Sequence, residues 1–355
     1  MYPFPTLFVD LDIVKSNIEN MVSKAAKTGL ELRPHFKTHQ SKVIGKIFRE
    51  QGIKGITVSS PKMADYFVMD DWDDITIAFP ANVLAHKEYN RIAENASLKT
   101  LAISREVVEK LDKKLKHKIG LYVEIDPDYG RSGVPVSNLD AIKAVVNAIE
   151  QSSNCYNAGF YCHAGHTYKC RSKEEIRNKG NEVLNKLEVL KEHFPELPIC
   201  YGDTPSCSVL EEFGPVDQLS PGNFVFYDWM QVQIGSCSPN EIAVHMECPI
   251  IEKFYERTEV LIHGGAIHFS KDSVQIDDYL SFGEPKLEYL SEETYVKSLS
   301  QEHGVIQCSP NVFSKVHVGE TIQIFPIHSC LTANLMGKYF TKKGQVLDHM
   351  NYQPN

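Results

Sequence analysis

Short apolar runs alternate with amphipathic stretches through the first two thirds of the chain. Runs at Leu7–Leu11, Leu32–Lys37, Gly55–Ser60, Ile75–Phe79, Thr100–Ser104, Ile119–Asp126, Ala158–His163 and Ile199–Asp203 predict strands. Between them, helical spacing predicts helices over Asp12–Lys27, Val83–Glu94, Asn138–Glu150 and Lys173–Phe194. Asp12 stands where a helix start prefers a capping side chain, and Gly29 lies beyond the end. Eight strands each followed by a helix is the count for a closed α/β barrel of the (β/α)8, TIM type. An open doubly wound sheet is the competing arrangement, but no G-x-G-x-x-G follows the first strand. After Gly235 the long helical periods disappear. Glu259–Ile262, Ser273–Ile276, Gly304–Cys308 and Thr321–Phe325 read as strands. The expected division is a barrel over residues 1–239 and a C-terminal β-rich domain over 240–355. The polar tail after Lys342 reads as loosely held.

Composition narrows the partners. The 355 residues are 42% hydrophobic and 23% charged, an ordinary soluble balance with enough chain for two domains. A formal net charge of -9 and a pI near 5.9 argue against nucleic acid or an anionic membrane as partner. No apolar run is long enough to span a bilayer, and Met1–Pro5 opens no secretion signal. Nine cysteines without a regular framework read as reduced thiols, so a cytoplasmic location is expected.

Candidate chemistry falls at strand ends. Lys37 closes the second predicted strand. A lysine at the mouth of a partly apolar site loses hydration, is more easily deprotonated, and can form a Schiff base with an aldehyde. Asp126–Gly133, His163–Tyr168 and Gly202–Ser206 follow the sixth, seventh and eighth predicted strands, and in a barrel all would face one mouth. Thr204 and Ser206 offer hydroxyl donors to a phosphate, with helix amides behind them and Gly222-Asn223 soon after. A helix cap is the plainer reading of the same residues. Arg131, between glycines, suits a phenolate or a carboxylate, and His166 and Tyr168 suit an aromatic ring. Cys162, His163, His166 and Cys170 look zinc-like, but Cys162 and His163 point to opposite faces of a strand. His328 and Cys330 are two apart, and in extended chain an imidazole and a thiolate so spaced share one face and can share a divalent ion.

Taken in order, Arg33–His39, Gly130–Gly133, His163–Tyr168, Thr204–Ser206, Pro221–Asp228 and His328–Cys330 resemble the D-serine dehydratase and D-threonine aldolase group of alanine-racemase-like enzymes. The resemblance covers nearly the whole chain. It implies pyridoxal 5'-phosphate (PLP) on Lys37, with Arg131, His166, Tyr168, Thr204, Ser206, Gly222 and Asn223 around the cofactor. It also implies a divalent metal, zinc above all, on His328 and Cys330, a small D-amino acid as substrate, and a homodimer. The H-x-C pair goes with dehydratases of this group, which favours β-elimination from D-serine or D-threo-3-hydroxyaspartate. Retro-aldol cleavage, racemisation and non-catalytic PLP binding are the alternatives, in that order. Gln40, where the group has a lysine, and the stretch His263–Asp272 depart from the well-known dehydratases and bear on the substrate.

Overall fold

The computed structural model describes residues 2–287 and 294–353. The chain forms two compact units. One comprises Ile18–Lys37 and Gly45–Gly222; the other comprises Met1–Asn17, Thr38–Ile44 and Asn223–Asn355.

The first unit is the expected barrel. Its parallel strands are β1 (Glu31–Leu32), β2 (Gly55–Val58), β3 (Asp74–Pro80), β4 (Ser97–Ala102), β5 (Ile119–Asp126), β6 (Cys155–His163), β7 (Ile199–Gly202) and β8 (Gln218–Leu219). From β2 onward each pairs with the next, and β8 pairs with β1. An isolated parallel bridge between His35 and Thr57 joins the end of β1 to β2 and closes the ring. Strand β5 is buried at every position but its last, as strands covered on both faces are. Leu101, Tyr122, Ala158, Tyr161 and Cys200 pack as one buried cluster. Arg33 is 2% exposed and holds Asp74 with two bonds of 2.8 Å. Lys99 also bonds Asp74. A Cβ at Gly55 would lie 2.2 Å from the Arg33 guanidinium, so glycine is what admits this buried arginine.

The second unit is strand-rich. Strand Val244–Phe254 is antiparallel to Thr6–Val9, Glu259–His263 and Thr321–Pro326. His303–Gln307 and Tyr295–Leu299 extend the sheet beyond Glu259–His263. Helix Ser329–Met336 follows strand Thr321–Pro326 and ends on Gly337, whose φ of 64° is the left-handed conformation glycine adopts freely. No helix among the described residues is long and apolar enough to cross a membrane.

Three expectations are corrected. The first predicted strand, Leu7–Leu11, is seen as Thr6–Val9, and it pairs in the second unit rather than in the barrel. The missing eighth barrel strand is β8, whose two residues are too short to give a periodic signal. Every cluster therefore follows a barrel strand numbered one lower than expected. The first helix begins at Leu11, and Asp10, not Asp12, accepts its early amides, from Asp12 at 3.2 Å and Ile13 at 3.4 Å. Finally, the tail is not loose: Val346–Leu347 pairs with Tyr339–Phe340, and Asp348 and His349 are buried.

Candidate active site

Lys37 lies in the turn that follows the His35 bridge. Its own amide donates to Nδ1 of His35 at 3.3 Å. The amide of His35 in turn donates to the Pro221 carbonyl at 2.8 Å, which brings the Pro221-Gly222 loop beside the lysine segment. A cavity of about 410 Å³ is lined by Lys37 with His35, Glu124, Arg131, Tyr161 and His163, and by Ala78 and Pro80. These residues come from the ends of β1, β3, β5 and β6 or the loops after them, where a barrel of this kind carries its chemistry.

Lys37 and Arg131 are exposed at the cavity, whereas burial sets the charge of His163 and Glu124. Burial holds His163 neutral, near pKa 3, and the Lys37 and Arg131 charges push the same way. Its Nδ1 lies 2.6 Å from the Gly202 carbonyl, which only accepts, so Nδ1 carries the proton and Nε2 keeps a lone pair. Glu124 is 3% exposed, and burial raises its carboxyl above the ordinary range. Ser132 donates to its Oε1 at 2.6 Å and Arg131 stands 3.9 Å away, while Oε2 has no hydrogen-bond partner among the described residues. Nothing in the strand pattern singled out Glu124; an acidic residue near the end of a buried strand was the only signal.

The other expected cofactor residues fall into two groups. Asp203 caps the short helix Thr204–Val209 by accepting from the Ser206 amide at 2.7 Å and the Thr167 hydroxyl at 2.8 Å. Burial raises Asp203 to about 6. The Thr204 amide donates to the Tyr168 hydroxyl at 3.3 Å. The plainer reading, a capped helix start, therefore describes these amides, while the Thr204 and Ser206 side chains are fully buried. Tyr168 and His163 rings lie 6.3 Å apart, and His166 packs 6.0 Å from Tyr129, its buried Nδ1 without a hydrogen-bond partner among the described residues. Gly222 is buried in its loop. Asn223 turns its amide elsewhere, donating to Asp228 at 2.7 Å, Ser329 at 2.9 Å and the Cys330 sulfur at 3.6 Å.

His328 and Cys330 do not form an extended pair. His328 stands just before helix Ser329–Met336 in extended conformation, its side chain making no capping bond, and Cys330 sits in the helix's first turn. The two side chains nevertheless meet. Burial opposes charge on His328, but bonds to Asp272 and Cys330 outweigh it and raise the imidazole well above its usual range. Asp272 accepts from Nδ1 of His328 at 2.6 Å, which fixes the ring, and Nε2 of the charged imidazole must release its proton before it can take an ion. Thr38 reaches the Cys330 sulfur at 3.2 Å. Asp228, buried, accepts from the Ser329 amide at 3.0 Å and steadies the helix start.

A second set of possible metal ligands, His263, His268 and Glu302, lies elsewhere in this unit, with ligand atoms all within 4.8 Å. The Gly265 amide donates to Nδ1 of His268 at 3.1 Å. That leaves the ring proton on Nε2, which faces Glu302 at 3.8 Å as a donor and offers no lone pair to an ion.

Residues 9–227 match the family model "Alanine racemase, N-terminal domain", and residues 243–342 match "Putative serine dehydratase domain". The chain is 29% identical to a D-serine dehydratase of Dictyostelium discoideum, over 99% of this chain and 96% of that one. It superposes on an alanine racemase-like protein from Idiomarina loihiensis with a TM-score of 0.90 at 22% identity, covering 99% of this chain and 98% of the other. A cysteine-to-alanine mutant of D-threo-3-hydroxyaspartate dehydratase, solved in a metal-free form, superposes at 0.85 with 21% identity, over 99% of both chains. Barrel and strand-rich unit agree with these matches, and the chain belongs to the alanine racemase N-terminal domain family, in its D-serine dehydratase and D-threonine aldolase group.

Proposed function

We propose that this protein is a PLP- and divalent-metal-dependent lyase that eliminates water from a D-3-hydroxy amino acid, giving a 2-oxo acid and ammonia. One observation carries the reading: Lys37 lines a cavity with a neutral histidine, an arginine and a carboxyl oxygen that has no hydrogen-bond partner among the described residues. A cavity of about 410 Å³ suits a ligand of PLP's size, and Ala78, Pro80 and Tyr161 offer its ring apolar surface.

Lys37 holds the cofactor and, once its amine is free, takes the proton from the substrate Cα. Bound PLP supplies the electron sink for that step. Arg131 orients the ring through its guanidinium, and Nε2 of His163 accepts a hydrogen bond without competing as a charge. Tyr168, His166, Thr204, Ser206, Gly222 and Asn223 stand in the reading as the remaining cofactor contacts, from the resemblance of their motifs. The Asn223 contact is then its backbone, because its side-chain amide already serves Cys330.

His328 and Cys330 are the metal ligands in this reading. An imidazole fixed through Nδ1 and a sulfur that the Asn223 amide and the Thr38 hydroxyl approach suit a borderline-soft ion, and zinc is the leading choice. Such an ion acts as a Lewis acid toward a hydroxyl group. The enamine left by loss of water hydrolyses in solution to the 2-oxo acid and ammonia. The H-x-C pair and the D-serine dehydratase relative favour this over retro-aldol cleavage. We also read the protein as a homodimer, on the family resemblance, and as cytoplasmic, on the cysteines that stand as free thiols.

A panel of D-amino acids, with and without chelator, tests the proposal. A 2-oxo acid with equimolar ammonia, lost on chelation, is expected from D-serine or D-threo-3-hydroxyaspartate. Glycine with an aldehyde from D-threonine, and no ammonia, would replace it with the aldolase reading.

A further inference from the structure

We infer that Asp348, near the end of the chain, is a positioning residue for Lys37: with the Met350 amide it clamps the buried turn Thr38–Ser41 that leads out of the lysine. The inference rests on the reading of Lys37 as the PLP lysine.

The turn is unusual for its composition. Thr38, His39, Gln40 and Ser41 are all polar, yet none is more than 4% exposed. Gln40 has a φ of 46°, in the left-handed region that a non-glycine residue keeps only where its surroundings over-determine it. Those surroundings come from the far end of the chain. The Met350 amide donates to the Gln40 carbonyl at 2.7 Å, and the Tyr339 hydroxyl donates to the His39 carbonyl at 2.5 Å. The Gln40 amide reaches Asn334 at 3.3 Å.

Asp348 completes the clamp. Helix Lys42–Glu50 begins where the turn ends, and its first amides need acceptors. Ser41 accepts from the Ile44 amide at 3.3 Å, the ordinary capping bond. Asp348, 5% exposed, accepts from the Ser41 hydroxyl at 2.7 Å, the Lys42 amide at 2.7 Å and the Val43 amide at 3.2 Å. A carboxylate at a helix N-terminus also gains from the helix dipole. One side chain thus fixes both the hydroxyl cap and two orphan amides, from 306 positions away in sequence.

Lys37 is joined to Thr38 by a peptide bond, so freedom in the turn becomes freedom in the lysine backbone. If the clamped turn is the binding-competent state, releasing it lowers the competent fraction, and the apparent cofactor affinity falls by the same factor.

The test uses the full-length protein and two variants, Asp348→Ala and the milder Asp348→Asn, which keeps one acceptor oxygen. Borohydride reduction of the PLP-loaded wild type and peptide mapping first locate the cofactor. Mapping to a lysine other than Lys37 overturns both readings. With Lys37 labelled, the variants are compared by amide exchange at residues 38–44, by PLP titration, and by the pH titration of the bound cofactor's absorbance. Losing an N-cap typically frees a helix start enough that PLP binding should weaken about three- to tenfold in Asp348→Ala, and less in Asp348→Asn. Exchange should quicken in the turn and the absorbance titration should shift, with circular dichroism of the PLP-free protein unchanged. Should Asp348→Ala fail to fold, Asp348→Asn carries the comparison. Faster exchange or a lower melting temperature with unaltered PLP affinity and absorbance would make Asp348 a structural cap alone and overturn the inference.

Discussion

The Thr38 hydroxyl lies 3.2 Å from the Cys330 sulfur, though 292 positions separate the two residues. Both side chains are buried, so the contact is shielded from water. The residue after the candidate PLP lysine is therefore in contact with the candidate metal thiol.

Thr38→Val should keep the shape of that contact and lose its hydroxyl. Loss of a residue that supports a metal ligand commonly lowers metal affinity about 10- to 100-fold. Competition with a chelating dye measures it. Wild-type affinity in Thr38→Val would show that the sulfur does not depend on this hydroxyl.

Lys37→Ala should abolish turnover and the yellow cofactor band, while leaving the melting curve of the PLP-free protein close to wild type. Lys37 lines a cavity and is itself exposed, which is the ground for that separation. Retained covalent PLP in the variant would assign the cofactor to another residue.

Asp74→Ala should destabilise the barrel by about 3 kcal/mol, because it strips the buried Arg33 of its bidentate partner. Glu31 remains 2.9 Å from Arg33, which keeps the loss at the low end of the usual range. Urea unfolding followed by circular dichroism gives the value. A change below the error of that measurement would mean Glu31 suffices.

Glu284 supplies a pH signature in the strand-rich unit. Its carboxyl is 5% exposed, and burial alone raises it from 4.5 to about 8. The native state therefore holds a proton that the unfolded chain has released. Its contribution is fully present below about pH 4.5 and is lost as pH rises toward 8. Glu284→Gln should leave stability at pH 4 nearly unchanged. At pH 9 it should raise it by about 2–4 kcal/mol. Parallel pH profiles of the two proteins would refute burial as the cause.

Much of the fold was legible because a barrel repeats one local pattern. Strands Gly55–Val58, Ile119–Asp126 and Ile199–Gly202 and helices Leu139–Glu150 and Lys173–His193 lie within a few residues of their predicted places. The composition of each run sets its periodicity, and periodicity needs no knowledge of the neighbour. Strand Thr6–Val9 shows the limit. Its apolar run read correctly as a strand, yet the partner it chose was Val244–Phe254, more than two hundred residues away. Strand pairing is decided by which edge is left open when the rest has packed.

The candidate site divides the same way. Lys37 and Arg131 were marked by sequence, because a lysine and a glycine-flanked arginine at strand ends carry chemistry wherever strands converge; the histidine expected at the ring was His166, whereas the one that lines the cavity is His163. Their meeting in one cavity, the neutrality of His163 and the Glu124 oxygen without a hydrogen-bond partner among the described residues were decided by burial. His328 and Cys330 were marked by spacing, but an extended backbone was the wrong ground. A helix start brings the two side chains together, and Asp272, Thr38 and Asn223 reach them from distant positions. Sequence determined which residues have the right donors and acceptors. Only the tertiary structure decided which of them lose water and face one another, because desolvation and hydrogen-bond geometry are properties of the packed chain.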